Sequence, residues 1–209
     1  MRSRALVLTG LSALGAACGG GGSGGSSTAP APTIAVSLPS ATMASGTSAQ
    51  ATATIGGVPA TGVSWSSSND QIVAVTGTGM VTASLQGNAV ITATKGSSHG
   101  TVGVLVVPGP PAQMWIWSGN LQSAPAGTAL KNRLSVAVLD ASANLVKDVT
   151  VTFTVASGGG SLAAPTSATS DAQGLATSGI WTLGPTVGQQ TVVASSGTLT
   201  PVTFTATGQ

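Results

Sequence analysis

Glutamate and tyrosine are missing from this chain of 209 residues, cysteine and histidine occur once each, as Cys18 and His99, and only 5% of residues carry charge. Each scarcity closes a route. One cysteine cannot close an intramolecular disulfide, so no such bridge staples the fold. Without glutamate, paired-carboxylate hydrolysis would have to draw on Asp70, Asp140, Asp148 and Asp171. Asp70 and Asp171 read as turn residues, Asp140 ends a strand, and Asp148 adjoins Lys147 beside a further turn. A Ser-His-Asp triad would need His99, which reads as an exposed strand-end residue, and no G-x-S-x-G elbow accompanies it. Calcium sites gather several carboxylates on loops, and no D-x-D-x-D-G run is present. The tracts "GGGGSGG" and "GGGSL" lead into no G-K-[ST] helix and are not phosphate loops. The expectation is a protein that is not an enzyme and uses no cofactor or metal.

Basic clusters are missing too. The formal charge is +2, but two of the six basic residues are Arg2 and Arg4 at the extreme N-terminus. Beyond them, Lys95, Lys131, Arg133 and Lys147 balance the four aspartates. Nucleic-acid binding needs clustered Lys and Arg to displace counterions, so no nucleic-acid partner is expected.

What remains is Gly, Ser, Thr, Ala and Val, with a hydrophobic fraction of 42% that argues against disorder. Thr and Val alternate in many places, the pattern of strands with one face in a core and one in water. Over residues 34–107, "IAVSL", "SAQATATI", "GVSWSS", "IVAVT", "MVTASL", "NAVITAT" and "TVGVLVV" follow one another, separated by Gly, Ser, Asn and Pro. Seven short strands at this spacing predict an Ig-like sandwich. Gly79 and Gly87 fall where hairpin turns need positive φ. The prolines of residues 108–112 make a semi-rigid joint. Over residues 113–209, "LSVAVLD", "VTVTFTVAS", "LATSGIWTLG", "QTVVASS" and "PVTFTAT" continue the alternation, with Val149, Val151, Phe153 and Val155 on one face. The fold class is therefore all-β, two tandem sandwiches.

The N-terminus is a different kind of segment. Arg2 and Arg4 precede "ALVLTGLSALGAA", an apolar run that fits the h-region of a secretory signal and is too short to span a bilayer. Cys18 follows it, open to three readings: a point of attachment, a free thiol after ordinary cleavage, or an inert residue. Residues 18–33 read as a tether, a Gly/Ser coil with a reach of about 17 Å for ten residues, stiffened at its end by "APAPT".

Three resemblances follow from these segments. A signal cut before a lone Cys and a polar tether resembles the bacterial lipoprotein pattern, although Gly15 stands where its lipobox places Leu. That likeness implies a signal peptide over residues 1–17 and acyl chains on Cys18 holding the protein to a membrane, in the outer membrane by the Gly19 sorting rule, with plain secretion as the alternative. "VSWSSSNDQIVAVTGTGMVTASLQGNAVITATKG" resembles the bacterial Ig-like domain, group 2. "SGNLQSAPAGTAL", "LSVAVLDASANLVKDVTVTFTVASGGGSL" and "TSDAQGLATSGIWTLGPTVGQQTVVAS" resemble group 1, the module of invasin and intimin. Where that family has Gly in the turn after Asp140, this chain has Ala143, so the positive φ must fall on Ala143 or Asn144, and Asn tolerates it better. The resemblances imply a non-enzymatic, lipid-anchored surface protein, an adhesion element or a stalk. The alternative is a carbohydrate-binding or enzyme-accessory module.

Of the four tryptophans, Trp65 and Trp181 lie in core-strand patterns, with Phe153 and Phe204 as further core residues. Trp115 and Trp117 share a face just after the joint, fit for core, for packing the modules together, or for stacking on a sugar ring. A protein or glycan surface ligand is the expected partner. Edge strands with few charges are poorly guarded, which adds weak self-association.

Overall fold

The computed structural model describes residues 32–209, and every regular element in that span is a strand. The signal segment 1–17, Cys18 and nearly all of the tether lie outside the described residues. No helix among the described residues is long and apolar enough to cross a membrane.

The first module holds ten strands: β1 (Ile34–Ser37), β2 (Thr42–Ala44), β3 (Ser48–Gln50), β4 (Thr52–Ile55), β5 (Val58–Pro59), β6 (Ser64–Ser67), β7 (Val73–Val75), β8 (Met80–Ala83), β9 (Gly87–Lys95) and β10 (Ser98–Val107). One sheet runs β2-β10-β9-β6. The facing layer is β1-β4-β5 and β3-β8-β7, linked because β3 and β4 are one stretch of chain interrupted at buried Ala51, whose N–H bonds to the Gly79 carbonyl instead. Alternation marks neither β2 nor β5. The chain leaves β1 through Leu38 and Pro39, then pairs β2 in parallel with β10 on the opposite sheet. Proline cannot continue a strand's donor ladder, so the change of sheet falls there. Two apolar clusters fill the module, one around Val73, Val81, Ile91, Val104 and Val106, the other around Ile34, Ala53 and Ala93.

The second module repeats the plan with β11 (Gln113–Ser118), β12 (Gln122–Ala124), β13 (Ser135–Leu139), β14 (Thr150–Ser157), β15 (Ser161–Leu162), β16 (Ser167–Thr169), β17 (Leu175–Thr177), β18 (Trp181–Thr182), β19 (Gly188–Ser195) and β20 (Val202–Gly208). Sheets β11-β13-β17 and β12-β20-β19-β14-β16 face each other, with β15-β18 closing one side. Again the second strand, β12, pairs in parallel with the last, β20. One core holds Trp181, Leu134, Val136, Val151, Val192, and the Phe153 and Phe204 rings at a centroid distance of 6.3 Å. Val149 and Val155 pack on its margin, in keeping with their place in the alternation. The whole is an all-β, Ig-like sandwich architecture.

Among the described residues, every strand pairing stays on its own side of the joint. Hydrogen bonds do cross it.

Candidate functional site

Two buried polar side chains, Asp140 and Asn144, meet at the joint. Asp140 follows β13 and is 1% exposed; Asn144, four residues on, is 6% exposed. Asp140 Oδ1 accepts from Ser142 N at 2.8 Å and Asn144 N at 2.9 Å, which closes the turn. Its Oδ2 accepts from Asn144 Nδ2 at 2.9 Å and from Gly109 N, in the joint itself, at 2.8 Å. Asn144 then reaches the first module. Its Nδ2 donates to the Ser84 carbonyl at 3.0 Å, and its Oδ1 accepts from Gln86 N at 2.7 Å. The Ser84 carbonyl also takes Ser45 Oγ at 2.6 Å, so the clasp is tied to β2 and the β8–β9 turn. Burial opposes ionisation of Asp140. The hydrogen bonds donated by the Asn144 side chain and by the N–H groups of Gly109, Asn144 and Ser142 outweigh it and hold the carboxyl below its usual range.

This geometry corrects one expectation. Positive φ in the turn falls on Ala143, at 65°, and not on Asn144. Asn144 is committed through its side chain to two backbone groups of the other module, and that fixes the backbone it hangs from. Asp140 was legible as a strand end, and the D-x-x-x-N spacing hints at a side-chain-closed turn. The partners some sixty residues away carry no local signal.

The second arrangement lies on the outer face of β11-β13-β17. Trp115 is 54% exposed and Trp117 63%. Both project away from Met114 and Ile116, which point into the core side of β11. Neither ring is core, and the hydrogen bonds that cross the joint are made by Asn144, Asp140, Gly109, Ser84 and Gln86. Register shifts between Ile116 and Ser118, so Trp117 and Ser118 stand against the single residue Ser135. Bulges of this kind re-aim a side chain. Trp117 borders an open groove of about 570 Å³ with Lys131, Arg133, Leu175 and Ile180.

The remaining residues are placed simply. Trp181, Phe153 and Phe204 are buried at 0%, 2% and 0% exposure. Trp65 is half-buried rather than enclosed, a second correction. It sits on β6, the edge strand of its sheet, bridging both clusters of the first module and bordering a notch of about 410 Å³ with Pro59, Thr61 and Thr78. Gly79, at φ 83°, lies so close that an added Cβ would stand 2.9 Å from the indole. His99 is exposed on β10. Asp171 caps its own turn, accepting from Gln173 N and Leu175 N, and Asp148 pairs with Lys147 at 2.9 Å in the open. Among the described residues no three His, Cys, Asp or Glu side chains come together as metal ligands.

Residues 30–105 match the bacterial Ig-like domain (group 2). No curated protein sequence matches the chain. Among solved structures, the adhesin InvE of Yersinia pseudotuberculosis is 18% identical, over 85% of this chain and 58% of that one, with a TM-score of 0.40. The Escherichia coli adhesin FdeC is 18% identical, over 85% of this chain and 65% of that one, with a TM-score of 0.43. The D00-D0 domain of intimin is 14% identical, over 83% of this chain and 96% of that one, with a TM-score of 0.49. The chain thus spans a little under three-fifths of the length of InvE.

Proposed function

We propose that this is a non-enzymatic, lipid-anchored surface protein of the cell envelope, in which a group 2 and a group 1 Ig-like module are clasped into a stiff rod that serves as a stalk or adhesion element. One observation carries the mechanical part: the buried Asp140–Asn144 clasp across the joint. Two modules joined only by a linker tumble separately by default. Here three hydrogen bonds made by the Asp140 and Asn144 side chains tie the second module to the joint and the first module, in a site where an unpaired partner is costly. The anchor reading rests on the residues around Cys18: a charged n-region, a short apolar run, one cysteine and a polar tether. Two acyl chains on that cysteine suffice for stable membrane attachment.

The test of the rod is 15N relaxation. Wild type should give one shared correlation time for both modules, and Asn144→Ala two different ones; independent tumbling in wild type would sink the stalk. The test of the anchor is mass spectrometry of the N-terminus from native membranes, with an unmodified Cys18 as the contrary result. A second reading, a carbohydrate-binding module of the envelope, is favoured by the exposure of Trp115 and Trp117.

A further inference from the structure

The outer face of β13 is closed although no sheet covers it. Ser135 and Ala137 point outward there, yet are only 4% and 3% exposed, because taller neighbours on both sides rise above them. The register names those neighbours. Trp115 stands opposite Ala137, which stands opposite Leu175, and the bulged Trp117–Ser118 pair stands opposite Ser135, which meets Thr177. Small residues on the middle strand and indoles on the edge strand make a trough with a flat floor and an aromatic wall. Half the tryptophans of a chain that is 3% aromatic stand exposed along it.

Its charge is equally uneven. Of the four basic residues among those described, Lys131 and Arg133 border the groove, and no aspartate does. The one ion pair among the described residues, Lys147–Asp148, involves neither. The loop that carries them is held in place: Gln122 Nε2 donates to the Gly119 and Asn132 carbonyls at 2.8 and 2.9 Å, and its Oε1 accepts from Asn132 N at 2.8 Å. Gly119 presses against the Arg133 carbonyl so closely that a Cβ would collide with it. The cations are therefore presented from a pinned loop, which lowers the ordering cost of binding.

We propose that this trough binds an acidic polysaccharide, a glycan whose sugar rings bear carboxylates. The apolar C–H faces of a pyranose lie on the exposed indoles, as apolar rings do on aromatic faces. The guanidinium of Arg133 offers a planar fork that matches a carboxylate, and Lys131 adds a second positive charge beside it. The proposal rests on the carbohydrate-binding reading and gives it a ligand class. It is independent of the anchor at Cys18.

The test is affinity electrophoresis and titration calorimetry of the full chain in detergent, against polygalacturonate and against neutral dextran. Polygalacturonate should retard the protein and dextran should not. Trp117→Ala, and separately Lys131→Gln with Arg133→Gln, should each weaken binding at least tenfold while circular dichroism stays unchanged. Raising salt from 50 to 500 mM, on the order of a threefold shorter screening length, should weaken wild-type binding too. Retention on dextran equal to that on polygalacturonate would overturn the acidic selectivity and leave a neutral carbohydrate face. Retention on neither would overturn both readings. A Trp117-dependent dimer in sedimentation, without glycan binding, would assign the trough to a second copy of this chain.

Discussion

Asp140 accepts four hydrogen bonds with no charged partner, so its negative charge is held by peptide and amide dipoles alone. Replacing it with Ala strands those donors in a buried site at about 1–3 kcal/mol each where water cannot reach them. Asp140→Ala should therefore lower the unfolding free energy by about 3 kcal/mol or more, read from urea melts. The pH dependence follows from the direction of its shift. An unfolded aspartate titrates near about 3.9, and folding lowers that value. The stabilisation is thus present above about pH 4 and is lost as the pH falls through the folded value. Between pH 7 and pH 3 the stability gap between wild type and Asp140→Asn should shrink; a constant gap would mean the charge contributes nothing. Ala143 offers the opposite change. Its φ of 65° suits glycine, and a left-handed residue with a Cβ costs roughly 1–2 kcal/mol. Part of that is offset by the greater freedom glycine has when unfolded, so Ala143→Gly should raise stability by about 0.5–1 kcal/mol in the same melts.

At the scale of elements, short strands do work that their length does not suggest. β18 has two residues, pairing with β15, where Leu162 faces Trp181, and bridging Ala129 through Thr182, yet it delivers the largest fully buried side chain among the described residues. Trp181 Nε1 finds no hydrogen-bond partner in that core. Its value is therefore volume and dispersion, not a polar tie. Trp181→Ala should cost about 3–5 kcal/mol, whereas Trp181→Phe, which forfeits no hydrogen bond, should cost less than half as much. Equal costs would show a bond at the indole nitrogen. β11 shows the converse economy. Its inward residues join the core, while its bulge turns Trp117 out over Ser135 and the groove. Strand alternation made a shared face for Trp115 and Trp117 readable. Which side of the sheet faced the core was not readable, because "MWIWS" is apolar on both faces.

For the whole molecule, near-neutral charge and sparse ion pairing leave burial and hydrogen bonding to hold it together. Lys147–Asp148 is exposed on both sides, with side chains 69% and 74% accessible, and such pairs contribute little. The thermal midpoint should accordingly hardly change between 50 and 500 mM salt, measured by calorimetry. A marked drop would reveal long-range electrostatics that the sparse charges do not suggest. Cohesion between modules is placed in one spot. Gly109 lies where an added Cβ would stand 2.8 Å from the Ser45 carbonyl and 3.5 Å from Asp140 Oδ2. The joint is therefore fitted to its neighbours rather than merely stiffened by the prolines around it.

Alternating Thr and Val, turn residues at short intervals and the Trp-Ser-Ser-Ser-Asn segment were enough to define sandwich layers and most strands, since each depends on neighbours one or two residues away. The same local logic placed Phe153, Phe204 and Trp181 in a core, where they lie. The parallel strands β2 and β12, the half-buried edge position of Trp65, the outward turn of β11 and the reach of Asn144 to Ser84 and Gln86 were decided only in three dimensions. Each depends on which distant backbone group comes within hydrogen-bond range, or on which face of a strand a second sheet happens to cover. Those long-range pairings are written in the packing of the whole chain and leave no periodic mark on the segments that make them.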